Sequence, residues 1–374
     1  MGKAFIYGKS VEGENFTDRV AETHRLQENF THGLNTIIIS PRRLGKTSLV
    51  RKVQKDIDNP NIKVVFVDVY DCRSEYDFLN RFAATIMKET ADSRDRIVGN
   101  IKEFLVRLTP KLSFHANPDS DITLSLGITP KNYTPEEILD LPEIIAQRKG
   151  IDIVVCIDEF QQVGEFPDTL SVQKRMRGIW QHQQHVSYCL FGSRKHMMTN
   201  LFQCKRMPFY QFGDTIMLGK IDKQDWVNFI TAKFEQEGKH IAPHYAAKIC
   251  DMVECHSSYV QQLANNVLIE TRTEVDDESF ATGHDTLIAQ NSALFETQIE
   301  NLTSYQMNFL RAVCAGTTSD FGAREVSEEY DFGTKSNIIR IKNALLKKEL
   351  IDIEHRRIVI TDPVFKLWFI NKFL

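Results

Sequence analysis

The 374 residues exceed one ordinary domain and point to two or three. With 42% hydrophobic and 26% charged residues, the composition is that of a soluble globular chain. A net charge of −4 excludes a protein that coats nucleic acid by charge alone, while a local basic face stays open.

Seven cysteines show no C-x-x-C spacing, which argues against a disulfide framework or a thiolate metal site and for reduced thiols in a cytoplasmic protein. The opening MGKAFIYGKS contains no apolar signal core, and Ile6 stands where a myristoylation signal has Ser or Thr. No apolar run approaches the roughly 18 residues of a membrane span, so no membrane partner is expected.

Up to about residue 215 the pattern alternates short β-branched runs with amphipathic stretches. Thr36–Ile39, Lys63–Val69, Ile151–Ile157 and Val186–Phe191 suit strands buried on both faces of a parallel sheet. Helical patterns lie between them, at Thr47–Ile57, Tyr76–Glu89 and Pro135–Lys149, which makes the region an α/β layer fold. Between residues 111 and 128 the rhythm changes to strict alternation around Asn117-Pro118-Asp119, the signature of an inserted β-hairpin.

From about 220 to 295 the pattern is helical, with amphipathic stretches at Asp222–Gln236, Pro243–Glu254 and Ser258–Arg272. The remainder opens with Thr303 as an N-cap for Ser304–Cys314. A helix near Ala323–Tyr330, a basic helix Lys335–Glu349 and two strand-like runs about His355-Arg356 follow, in winged-helix order. The expected division is therefore a core at 1–215 with the inserted hairpin, a helical lid at 216–297 and a winged helix at 298–374.

The chemistry concentrates where the strand Thr36–Ile39 runs into Ser40-Pro41-Arg42-Arg43-Leu44-Gly45-Lys46-Thr47, with Ser48 continuing into a helix. This is a P-loop, G-x-x-x-x-G-K-[ST], with Ser40 in place of the first glycine. Backbone N–H groups of the loop and helix start face an anion there, and the helix dipole favours negative charge. Gly45 lets the backbone approach a phosphate, Lys46 reaches the β and γ phosphates, and the Thr47 hydroxyl ligates magnesium. Pro41 keeps Ser40 extended, a conformation serine holds without strain. Arg42 and Arg43 admit contact with the γ-phosphate, with a partner subunit, or with neighbouring acidic side chains.

About 110 residues later, the apolar strand Ile151–Ile157 ends in Asp158-Glu159. Beside a P-loop, the first carboxylate holds magnesium and the second orients and deprotonates the attacking water. A further strand ends in Gly192-Ser193-Arg194. Ser193 is the candidate γ-phosphate sensor, against a plain turn residue; Arg194 reads as a sensor, an arginine finger for a neighbour, or a surface charge. The implied ligands are ATP or ADP and Mg2+.

Together these pieces resemble the archaeal-type P-loop ATPases, an AAA+-like branch related to the signal-transduction ATPases with numerous domains. Phe16-Thr17-Asp18-Arg19, with Glu22 and Leu26, is similar to the element that precedes the family's P-loop. Ile157–Gln161 resembles its I-D-E-[FI]-Q strand end, Tyr259–Ala264 its lid motif, and Asp362–Phe369 the segment closing its winged helix. The resemblance implies an ATPase core, a lid and a winged helix, with Phe16 and Arg19 near the adenine. Where the family's lid often has G-x-P, this chain has His256-Ser257-Ser258. His256 is then either a closed-state phosphate contact or a solvated histidine at a helix start.

Three roles for the nucleotide are open at this point. The first is a conformational switch driven by a slow ATP hydrolase, acting on a protein partner or by self-association. The second is a DNA-acting ATPase whose winged helix docks a duplex through Lys335, Arg340, Lys342, Lys347, Lys348, Arg356 and Arg357. Against it, acidic Glu325, Glu328, Glu329 and Asp331 lie just upstream. The third is a nucleotide-dependent scaffold with little hydrolysis, for which Glu159 would be superfluous.

Overall fold

The computed structural model describes residues 4–91 and 134–374. The hairpin expected at 111–128 lies outside the described residues. Two compact units emerge, one formed by Ser10–Gly219 and the other by Met1–Lys9 together with Lys220–Leu374.

The first unit is built on a parallel sheet. Its strands are β1 (Thr36–Ile39), β2 (Ile62–Asp68), β3 (Asp152–Asp158), β4 (Val186–Gly192) and β5 (Asp214–Met217), in the spatial order β2-β3-β4-β1-β5. The side-chain period of two separates the strand residues into two apolar layers. Ile38, Val154, Cys156, Cys189 and Phe191 meet the helices α1 (Val20–Thr31) and α2 (Lys46–Asp56). Ile37, Ile39, Val155, Ile157, Tyr188 and Leu190 face the other layer, which contains α3 (Glu75–Thr90), α4 (Pro135–Leu139), α5 (Leu141–Lys149), α6 (Thr169–Trp180) and α7 (Lys195–Gln203). Burial on both faces explains why these strands read as unbroken apolar runs.

The continuous helix expected over 135–149 is instead two helices meeting at Asp140. Pro142 supplies the reason: it has no N–H to donate to the carbonyl four residues earlier, and its ring crowds that carbonyl. β5 escapes the sequence pattern because it has four residues, of which Ile216 alone is fully buried.

The second unit contains α8 (Lys223–Gln236), α9 (Pro243–Met252), α10 (Ser257–Glu270) and the long α11 (Asp277–Glu300). A winged helix follows: α12 (Ser304–Cys314), α13 (Arg324–Glu329), α14 (Lys335–Lys347), the antiparallel pair β6 (Ile351–Glu354) and β7 (Arg357–Ile360), and α15 (Pro363–Phe373). Thr303 caps α12 in a reciprocal box with Gln306. The wing turn places both His355 and Arg356 at positive φ, 49° and 67°, as a two-residue type I′ hairpin requires.

One apolar core runs through this unit, from Trp226 and Ile230 through Leu263 and Phe295 to Phe365 and Trp368. The Tyr259 hydroxyl donates to Asp362 at 2.5 Å, joining α10 to the N-cap of α15. Glu254 accepts from Lys366 at 3.1 Å and from Lys220 at 3.4 Å. His256, at the start of α10, is buried rather than solvated, and its ring lies 4.9 Å from that of Tyr259. Among the described residues, no helix is long and apolar enough to cross a membrane.

Candidate active site

The parallel register brings three strand ends to one edge of the sheet. Ile39, the last residue before the P-loop, pairs with Gly192, and Ile157 pairs with Leu190. Asp158, Glu159, Ser193 and the loop Ser40–Gly45 therefore follow from neighbouring carboxyl ends, where ligands of open parallel sheets bind.

The loop is held from within and from behind. Gly45 sits at φ 94°, a left-handed conformation that glycine adopts without the penalty a side chain would add, and Arg43 at φ 60°. Ser40 is buried; its hydroxyl donates to the Pro41 carbonyl at 3.1 Å. Lys46 opens α2 and is 5% exposed, with Nζ donating to the carbonyls of Pro41 at 2.8 Å and Ser40 at 3.3 Å. Burial lowers its pKa to about 8, against the upward pull of Glu159 and Asp158. A buried ammonium whose bonded partners here are neutral carbonyls is set up to receive an anion. The Ser48 hydroxyl accepts the Val11 N–H at 2.9 Å, fixing the segment that leads into the site.

Thr47 and Asp158 meet directly. The Thr47 Oγ1 donates to Asp158 Oδ2 at 2.9 Å, and the Glu159 N–H donates to the other oxygen at 2.8 Å. Burial raises the Asp158 pKa to about 6; the Thr47 hydroxyl opposes the shift and the Glu159 charge adds to it. No group of three or more His, Cys, Asp or Glu side chains able to hold a metal occurs among the described residues. One hydroxyl and one carboxylate are a poor cage for calcium or zinc. They fit magnesium, which keeps waters and takes its other oxygens from bound phosphates.

Glu159 has left-handed backbone geometry, φ 55°, at the start of a 3-10 turn spanning Phe160–Glu165. Its Oε2 accepts from the Ser193 hydroxyl at 2.9 Å and from the Gln161 amide. Arg194 pairs with Glu165 on the same turn.

Arg19 lies at the loop's back. It is 4% exposed, and its guanidinium donates to the carbonyls of Leu44 at 3.2 Å and Gly219 at 2.7 Å and to Glu22 at 3.1 Å. The half-buried Phe16 packs beneath α2, with the Lys52 ammonium 5.6 Å from its ring centroid. Arg42 and Arg43 are exposed. The residues singled out by sequence in the strand ends and the loop thus share one edge, while Phe16 and Arg19 bear on the loop and its helix. Gln161 belongs to the quoted strand-end motif, yet composition and spacing gave it no role; its partnership with Glu159 is visible only in three dimensions.

A family described as an ATPase domain predominantly from Archaea matches residues 16–265, and one described as a probable winged helix domain matches residues 293–371. Among solved structures, a Walker-type ATPase of Pyrococcus abyssi is similar over 98% of this chain and 99% of its own, at 15% identity and a TM-score of 0.71. The ORC2 protein of Aeropyrum pernix, solved as ADPNP–ADP complexes, matches 99% of this chain and 96% of its own, at 14% identity and a TM-score of 0.59. The ORC1 protein of the same organism, solved in complex with DNA, matches 96% and 94% at 11% identity, with a TM-score of 0.51. Likeness at these identities is one of fold. No curated protein matches the chain.

Proposed function

The chain belongs to the family of ATPase domains found predominantly in Archaea, joined to a winged helix, and from that premise we propose that it is a magnesium-dependent ATP hydrolase working as a slow, nucleotide-controlled conformational switch. The observation that best supports the reading is the hydrogen bond from Thr47 to Asp158, which joins the first turn of the P-loop helix to the acidic strand end. Lys46 and the N–H groups of the loop hold the β and γ phosphates. Thr47 and Asp158 would hold magnesium, which would supply Lewis-acid stabilisation of the phosphate charge. Glu159 orients the attacking water and accepts its proton, and Ser193 registers the γ-phosphate beside it. Phe16 and Arg19 back the nucleotide end of the loop.

Slow turnover is favoured because Arg194, the candidate transition-state cation, is paired with Glu165. The switch is favoured by the bond from Tyr259 to Asp362, a direct link between the helical region and the winged helix through which a change in one could reach the other. The proposed division is a core to about residue 215, a lid over 216–297 and a winged helix over 298–374.

The test is magnesium-dependent phosphate release by the full chain beside Lys46→Ala and Glu159→Gln, with protease sensitivity compared in ADP and ATP. Loss of release in both variants and a nucleotide-dependent cleavage pattern support the reading. ATP binding without release would move the protein to the scaffold role, and identical cleavage in both nucleotides would remove the switch.

A second reading, a DNA-acting ATPase, draws on the half-buried Lys342 and the exposed Lys335, Arg340, Lys347, Lys348, Arg356 and Arg357, on α14, just after it and at the wing. The exposed Glu325, Glu328, Glu329 and Asp331 oppose it. Duplex DNA that stimulates hydrolysis, with a salt-sensitive affinity weakened by Lys342→Glu and Arg356→Glu, would put this reading first.

A further inference from the structure

We propose that Gln161 is the positioning residue of the Glu159 carboxylate: its amide, wedged against Gly192, fixes which oxygen of Glu159 faces the attacking water. The proposal rests on the reading of Glu159 as general base.

Three observations converge on it. First, Gln161 is 2% exposed, and its Nε2 donates to the same Glu159 oxygen that receives the Ser193 hydroxyl. Two donors on Oε2 leave Oε1 as the oxygen with open acceptor capacity, and they remove the freedom of the carboxylate to rotate. Second, the Gln161 Oε1 is buried with no hydrogen-bond partner among the described residues. An unsatisfied acceptor destabilises the fold, so the amide is not there to satisfy itself. A methionine would fill the same space without that penalty. Third, the amide occupies the volume that a side chain at position 192 would need. A Cβ on Gly192 would overlap Gln161 Oε1 and press on Met198. Gly192 is not at positive φ, so backbone conformation does not demand glycine there. The room for the amide does.

Glu159 itself sits in left-handed geometry at the N-cap of the 3-10 helix Phe160–Glu165. Its backbone direction is set there, and the remaining side-chain freedom is what Gln161 and Ser193 take up. The arrangement has the logic of a catalytic base oriented by a third group.

The experiment compares steady-state ATP hydrolysis and ATP affinity in the wild type, Glu159→Gln, Gln161→Met, Gly192→Ala, Gln161→Ala and the Gly192→Ala/Gln161→Ala double variant. Gln161→Met keeps volume and removes the donor, so kcat falls roughly tenfold to a hundredfold while ATP affinity stays within about threefold. Gly192→Ala displaces the amide and lowers kcat by a similar factor, yet adds no further loss in the Gln161→Ala background. That non-additivity is what a defect of the strand end alone would not give. If Glu159→Gln abolishes hydrolysis but Gln161→Met turns over within threefold of wild type, or faster, the positioning role falls and the base survives. An equal loss from Gly192→Ala in both backgrounds also overturns it. Undiminished hydrolysis by Glu159→Gln, or a wild type without turnover, removes base and proposal together.

Discussion

The guanidinium of Arg19 donates to the Leu44 carbonyl across 3.2 Å, so a residue preceding the first helix braces the phosphate loop from behind. The same group reaches the Gly219 carbonyl and Glu22, and it is buried. Arg19→Ala leaves two carbonyls without their donor and is expected to destabilise the core by about 3 kcal/mol. Arg19→Lys cannot reproduce the fork and recovers only part of this. Urea denaturation of the full chain measures the loss, and a loosened loop should also weaken ATP binding roughly tenfold.

Ser40 tests what the departure from the usual loop sequence costs. It holds a backbone conformation outside the left-handed region, and its carbonyl receives the Lys46 ammonium. Nothing there demands glycine. Ser40→Gly should lower stability by about 0.5–1 kcal/mol through a freer unfolded chain, and change ATP affinity less than threefold. Calorimetry and nucleotide titration check the two parts separately.

The bond from Tyr259 to Asp362 predicts a coupling. Tyr259→Phe removes one charge-assisted bond and should cost about 1–2 kcal/mol. Asp362→Ala should cost more, because Asp362 also caps α15 by accepting from Val364 and Phe365. In the Tyr259→Phe background the cost of Asp362→Ala should shrink by about 1 kcal/mol, measured as a double-mutant cycle on thermal unfolding.

Glu254 supplies a pH dependence. Burial pushes its carboxyl upward, but the hydrogen bond and charge of Lys366, with Lys220, outweigh that and hold it below the usual carboxylate range. A depressed carboxylate stabilises the fold above its unfolded pKa near 4.5, and the contribution disappears as pH falls through the lower folded value. Both partners are half exposed, so the expected penalty of Glu254→Gln is about 1 kcal/mol at pH 7. At pH 3 the Tm values of wild type and variant should converge.

The layered sheet was legible because burial on both faces leaves an unmistakable trace: Val186–Gly192 is buried along its whole length and is apolar nearly throughout. The cap at Thr303 and the turn at His355-Arg356 were legible for a related reason, since local chemistry alone specifies them. β5 was not, having one fully buried side chain to advertise it. Pro142 was visible as a letter, but an apolar period running across it masked the break at Asp140. The strand-end carboxylates and the loop lysine could be found by spacing. The amide donor to Glu159 could not, because Gln161 meets Gly192 across a gap of thirty-odd residues that only the sheet register closes.

Phe5 ties a segment that precedes the sheet in sequence into the core of the second unit. It is 2% exposed, with its ring about 6 Å from those of Phe229 and Phe234, and the Ile6 N–H donates to Gln261 at 2.9 Å. A ribosome releases Phe5 before the sheet, and its aromatic partners more than two hundred residues afterwards. Docking Phe5 therefore closes a loop of more than two hundred residues, a cost that rises only slowly with loop length. Anyone grafting the helical and winged portion onto another ATPase should carry the first nine residues along, or fill the phenylalanine-sized vacancy by design.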